Sequence, residues 1–312
     1  MTNQKQQTFS AFLLFITAFL WGVAFVAQKD AMDYLHPLTF NGIRFLLGGL
    51  LVYGFSLYSD YAAKKRGEKV QPYFSNGKLD KKLLIAGFSP GFMLFIASTF
   101  LQIGIVDSTA GKSAFISALY MLIVPIASLL LGKKISKSIW IALPIAIIGL
   151  YLLCIKPGEI SFSKGDLIIL CGSFFWAAQI MLAGKYASQV NVLKMASIQF
   201  LSCGILSGIA AIFLETVTLP QIQDAAIPIL YSGFLSIGIA FTLQIYGQKH
   251  TSSVVASIIM SLESVFAVLA GFFLLQELLT IRELIGCILM FSGVIIAQIP
   301  QKGKVDINAG TD

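Results

Sequence analysis

A chain of 312 residues that is 57% hydrophobic and only 12% charged, with a mean hydropathy of +0.83, is too poor in charge for a water-soluble domain, where roughly 25% of residues are charged. Apolar runs of about 20 residues, each long enough to cross a hydrocarbon core of ~30 Å as a helix, recur along almost the whole length and make this an integral membrane protein. The net charge of +7 would suit nucleic acid if it formed a soluble patch, so its placement along the chain decides what it means.

Ten spans are predicted, near residues 9–28, 38–58, 83–105, 110–131, 139–155, 166–184, 193–214, 226–246, 252–275 and 281–299. The first follows Lys5 and has the look of a secretory leader, but its length and the nine spans behind it predict an uncleaved helix. It carries Trp21, and the second span carries Asn41 and Arg44. Arg44 is about six residues, or roughly 9 Å, from the outer end of its span. There it either receives a substrate carboxylate through its planar fork or snorkels outward and pairs with Asp30 or Asp33.

Residues 59–82, SDYAAKKRGEKVQPYFSNGKLDKK, form the longest break, a basic loop too short to be a domain. The third span contains GFSPG at 87–91. This fits the Gly-x-Ser-x-Gly nucleophile elbow in letters, yet that motif requires a strand-to-helix turn and the chain has only His36 and His250 as partners.

The fourth span opens with DSTAGKSAF at 107–115, which has the ending of a phosphate-binding loop. That loop needs Gly five residues before the Gly of Gly-Lys-Ser, between a strand and a helix; here the position is Val106 and the preceding segment is a membrane span. Ser108 or Thr109 can cap the helix instead. Lys112 beside the positive helix end calls for an anion nearby, or else anchors the helix end at the interface.

Glu263 lies about eleven residues into the ninth span, near mid-bilayer at ~1.5 Å per residue. An ionisable group at that depth faces the bundle interior or a wet cavity. It either binds a substrate ammonium or coupling proton, or is satisfied by a neighbouring helix and holds two helices in register. Trp21, Trp176, Tyr120, Gln102, Gln244, Gln179, Gln199 and Asn41 are further polar or amphipathic candidates within spans, able to line a cavity or to serve helix packing. Pro90, Pro125, Pro144 and Pro228 fall in spans, where they free backbone groups and offer hinges. Cys154, Cys171, Cys203 and Cys287 lie in spans with no paired spacing and read as small packing residues. No cofactor or metal motif is present in the sequence.

With the N-terminus inside, sixteen Lys and Arg fall in inner loops and tails and five in outer ones. This bias predicts both termini in the cytoplasm and contact with anionic lipid rather than nucleic acid. The break KPGEISFSKGD at 156–166 divides the spans five and five, predicting a first repeat over 1–155, a second over 156–300 and a tail over 301–312. Sliding the halves by 155 puts FLWGVAF (19–25) on FFWAAQI (174–180), so that Trp21 meets Trp176. LQIGIVDSTAGKSAF (101–115) falls on LQIYGQKHTSSVVAS (243–257), matching Gln102 with Gln244 and Lys112 with Val254, and one extra residue brings Tyr120 opposite Glu263. Five spans per half force the halves to cross the membrane in opposite senses, the architecture of secondary transporters with a midplane site.

FLWGVAFVAQKDAMDYLHPLTFNGIRFLLGG and SLESVFAVLAGFFLLQELL resemble the two EamA repeats of the drug/metabolite transporter superfamily over roughly residues 10–300. The strongest pieces are the Trp of the first helix in each half and the LExVFAxLxGxxLLxE pattern of the ninth. The resemblance implies an all-α membrane fold of ten transmembrane helices in two inverted five-helix repeats. It also implies a transporter in a bacterial-type cytoplasmic membrane, not an enzyme, for a small-molecule substrate, often an amino acid or a relative, with export expected. With no nucleotide-binding domain, transport would be secondary and by alternating access, with proton coupling and a homodimer both compatible. Efflux of drug-like organic cations is the alternative, followed by a non-transporting intramembrane enzyme or sensor.

Overall fold

In lipid a backbone can satisfy its polar groups only within its own helix or a closed barrel, and the apolar runs of this chain are helical throughout. The computed structural model describes residues 3–75, 77–155, 163–275 and 280–299. Part of the mid-chain break (156–162), the end of the ninth-span motif (276–279) and the tail 301–312 lie outside the described residues.

The first three helices, α1 (Asn3–Ala31), α2 (Pro37–Lys65) and α3 (Lys81–Gly104), are continuous. Pro37 suits the start of α2, where its missing N–H would have no helical partner. Glu215 accepts the amides of Leu38 and Thr39 at 2.9 and 2.7 Å, satisfying two further open donors. Because α2 runs on to Lys65 and α3 starts at Lys81, the predicted 59–82 loop is shorter than expected. It contains a two-residue antiparallel ladder, β1 (Phe74–Ser75) with β2 (Lys78–Leu79).

That segment is tied down by Lys194, which is fully buried. Its Nζ donates to Asp60 and to the carbonyl of Gln71 and lies 4.8 Å from the centre of the Tyr73 ring. The Tyr73 hydroxyl bonds Ser56 at 2.5 Å and Ser197 at 2.9 Å, and burial raises its pKa above the usual phenol value.

The fourth predicted span is two helices, α4 (Ala110–Ala118) and α5 (Tyr120–Leu130), which break at Leu119. After α6 (Lys137–Cys154), α7 (Lys164–Tyr186), α8 (Val192–Leu214) and the short α9 (Leu219–Asp224), the eighth span is composite. It consists of α10 (Ala226–Leu230), a π-helical segment Tyr231–Phe241 and α11 (Thr242–Gln248). The ninth is again broken, into α12 (Ser253–Met260) and α13 (Glu263–Leu275), so Glu263 begins a helix instead of sitting inside one. Three of the four expected proline hinges are not where the chain breaks: α3, α5 and α6 run through Pro90, Pro125 and Pro144, whereas Pro228 lies in the short α10, three residues before the π segment.

Among the described residues nine helical spans are long and apolar enough to cross a membrane. The tenth predicted span is α14 (Ile281–Ala297), whose 17 residues extend about 25 Å at ~1.5 Å each. N-caps Thr109 and Ser252, and likewise the helix starts Tyr120 and Glu263, are separated by 143 positions. On that spacing Lys112 stands at the position of Val255 in the ninth span, one residue from the ungapped match to Val254.

Helix α2 packs along α8, α3 along α7 and α8, α6 along α14, and α1 along α13, α11 and the π segment. The half-helices cross, α4 on α13 and α5 on α12. Small residues allow the backbones to approach, as membrane helices require in the absence of a hydrophobic drive between them. A Cβ on Gly42 would come within 3.1 Å of the Gly208 backbone, and one on Gly149 within 2.8 Å of the Gly286 carbonyl.

Candidate substrate site

The two helix breaks place Tyr120 and Glu263 face to face. The Tyr120 hydroxyl donates to Glu263 Oε1 at 3.1 Å, and both side chains are buried. A carboxyl on the first turn of α13 sits at the positive end of that helix, where negative charge is favoured. Gly22 of α1 packs against its backbone: a Cβ there would lie 2.6 Å from the Glu263 carbonyl oxygen, so α1 lies directly on the break and puts Trp21 beside it.

Trp21 and Trp176, matched by the repeat, meet at the centre with ring centroids 6.3 Å apart. Phe241, the last residue of the π segment, lies 4.4 Å from Trp21 and stacks on Trp176 at 5.9 Å. Neither indole Nε1 has a hydrogen-bond partner among the described residues. These groups border a narrow central cavity of about 30 Å³, lined also by Phe25, Gln28, Arg44, Phe45, Leu101, Ser117, Ser236 and Ile237.

Arg44 is 3% exposed. Its Nε donates to Asn41 Oδ1 at 3.0 Å and its Nη1 to Gln28 Oε1 at 2.8 Å, while its guanidinium lies over Phe40 and Phe45 at 4.8 and 5.2 Å. Asp30 and Asp33 do not take the expected pairing. The ion pairs among the described residues are Arg66–Glu68, Lys112–Asp166 and Lys194–Asp60. Arg44 and Glu263 thus line one cavity as a guanidinium and a carboxyl that do not touch.

The EamA-like transporter family pattern matches residues 8–155 and again residues 163–298. The chain belongs to this family. An uncharacterized transporter of Archaeoglobus fulgidus is 30% identical over 288 residues, 92% of this chain and 84% of that protein. The uncharacterized inner membrane transporter YedA of Escherichia coli K12 is 26% identical over 269 residues, 83% and 80% of the two chains. A crystal structure covering 93% of this chain and 96% of its own superposes with a TM-score of 0.73 at 17% identity, which shows a shared fold. The protein is a multi-pass membrane transporter.

Within this EamA-like transporter five of the expected residues reach the cavity: Trp21, Arg44, Tyr120, Trp176 and Glu263. Asn41 and Gln102 stand behind it, Asn41 steadying Arg44 and Gln102 donating to the Gln28 carbonyl at 2.9 Å. Gln244 is not part of this site, because it bonds Gln179 and Gln248 instead. Lys112 is elsewhere too: its Nζ is 2.5 Å from Asp166, a fully buried carboxylate that also accepts from Ser108 at 2.7 Å and from the Ser163 amide at 2.8 Å. The anion that Lys112 calls for is supplied by the protein. Sequence reading missed Gln28, which shares a helical face with Trp21 and Phe25 and was open to detection by that spacing. It also missed Phe241, which nothing distinguishes from its apolar neighbours.

Proposed function

We propose that the protein moves a small zwitterionic metabolite, an amino acid or a related compound, across the cytoplasmic membrane by alternating access of two inverted five-helix halves. The observation that carries this reading is the pairing of Arg44 and Glu263 in one cavity without contact. A carboxylate fits the guanidinium, which offers a bidentate donor set, and an ammonium fits Glu263. The apolar part of the substrate then lies against Trp21, Trp176 and Phe241. A drug-like cation would leave Arg44 without an anion.

Inverted halves are supported by the packing. The contacts of α3 with α7 have their counterpart in those of α1 with α11 and the π segment, while the α2–α8 and α6–α14 pairs each map onto themselves. Cytoplasmic termini follow from the positive-inside bias. Broken helices whose ends point at a midplane site are the usual means of holding charged substrate groups in such halves. A carboxyl that takes either a proton or the substrate ammonium couples the two.

The test is counterflow of amino acids in proteoliposomes. Glu263→Gln should abolish it while the purified protein stays monodisperse. Undiminished counterflow would remove Glu263 from the mechanism, and aggregation would make it a purely structural residue.

A further inference from the structure

Beyond the aromatic floor of the cavity lies a polar group that the site just described does not use. Gln179 on α7 and Gln244 on α11 each stand three residues past a floor residue, Trp176 and Phe241, toward the end of the bundle that carries Lys185 and Lys249. Gln248 follows one turn later on α11. All three are buried, Gln179 and Gln244 completely.

Gln244 Nε2 donates to Gln179 Oε1 and to Gln248 Oε1, both at 3.2 Å, and Gln248 Nε2 donates to the Ile180 carbonyl at 2.9 Å. That arrangement leaves Gln179 Nε2 and Gln244 Oε1 without a partner among the described residues. Leaving a buried donor and a buried acceptor unmade is costly, and a cluster kept only for packing gains nothing from amides that it cannot satisfy. One open donor next to one open acceptor matches a solute that presents both.

We propose that Gln179, Gln244 and Gln248 form a transit site between the central cavity and the Lys185/Lys249 face, binding the hydrogen-bonding groups of a polar, zwitterionic or uncharged solute. The stacked pair Trp176–Phe241, 17° from parallel, is the seal between the two compartments. An uncharged amide lining suits a place of passage, since a route must bind weakly enough to release. Phe241 also ends the π segment, and π turns inside helices are frequent at functional sites. Thr17 Oγ1 occupies the neighbouring Ala240 carbonyl at 3.0 Å. The nature of the ligand rests on the transport reading above, whereas the route rests on the amides and the stack.

Cysteine accessibility tests the route without a known substrate. Gln244→Cys and Gln179→Cys are treated, in sealed vesicles of either orientation, with a membrane-impermeant methanethiosulfonate reagent, the unsubstituted chain with its four native cysteines giving the background. Both should react from the Lys185/Lys249 face, and adding Phe241→Ala should speed the reaction by about tenfold or more, because labelling follows the population of the open form. Phe241→Leu serves where Phe241→Ala is not monodisperse. Reaction at background rate from both faces, with and without the Phe241 change, overturns the proposal and makes the glutamines packing residues. Reactive cysteines in a protein that gives no counterflow would strike the transport reading alone, and counterflow with unreactive cysteines would strike the transit site alone.

Discussion

Arg44 and Lys194 are both buried cations, and their partners separate a binding role from a structural one. Lys194 is compensated by Asp60, the Gln71 carbonyl and the Tyr73 ring. Arg44 has only neutral partners, Gln28 and Asn41. Breaking a buried pair from one side strands the other charge, so Asp60→Asn should destabilise the protein by about 3 kcal/mol, read as a lower Tm in detergent. Glu68→Gln, in the exposed pair with Arg66, should leave the melt unchanged. Arg44→Gln should do the reverse of Asp60→Asn. It removes a charge with no anion beside it, so the Tm holds or rises. Substrate affinity falls by at least tenfold, since a hydrogen bond to a charged group contributes about 1.5–3 kcal/mol and about 1.4 kcal/mol is tenfold. A Tm loss in Arg44→Gln as large as that of Asp60→Asn would show that Arg44 holds the fold. Arg44 and Glu263 were legible because a charge inside an apolar run cannot be idle, whereas Lys194 was not, because a lysine at a helix end looks like any loop lysine until its partner from α2 is seen.

At the scale of elements, the positions of the helices were written in the apolar runs, but their interruptions were not. The breaks at Leu119 and Ser261–Leu262 carry neither Gly nor Pro, and the π segment Tyr231–Phe241 is uniformly apolar apart from small residues. Pro90, Pro125 and Pro144, expected as hinges, are absorbed within α3, α5 and α6, and only Pro228 stands beside a departure. Such departures are imposed by the elements packed alongside, as at Gly22, where α1 bears on the Glu263 backbone. Small-residue contacts, by contrast, follow a local spacing: Gly204 and Gly208, four residues apart, face α2 through Leu46 and Gly42. The closeness of these contacts makes a prediction. Gly149→Ala drives a Cβ to 2.8 Å from the Gly286 carbonyl and the Met290 amide, backbone atoms that can yield only if α6 and α14 separate, and overpacking of this kind costs about 1–3 kcal/mol. Gly54→Ala, with nothing within 4 Å of the added atom, should be neutral or stabilising by up to about 1 kcal/mol. Equal melting temperatures for the two variants would refute the claim that the α6–α14 contact is backbone-limited.

For the whole molecule, the proposed alternating access would require some contacts between the two proposed halves to persist while others open, and the ties between α2 and α8 mark the contact expected to persist. These helices are joined at one end by Lys194 with Asp60 and at the other by Glu215, which accepts from the amide and hydroxyl of Thr39 at 2.7 and 2.8 Å. Between the ends the backbones meet at Gly42 and Gly208. Separating them would break two polar ties and a small-residue interface together, with no lipid-exclusion gain to offset the loss. Lys112 with Asp166 is a different kind of tie, an ion pair between the half-helix α4 and the start of α7, beside the broken span that holds Tyr120. A hinge motion that keeps α2 and α8 as its axis is expected to part α4 from α7. A bifunctional thiol linker across Thr39→Cys and Glu215→Cys should therefore leave counterflow near the level of the same variant without linker, whereas the same linker across Lys112→Cys and Asp166→Cys should stop it until a reductant cleaves the bridge. Loss of counterflow at the first pair, restored by reductant, would mean that α2 and α8 themselves separate and that the axis lies elsewhere.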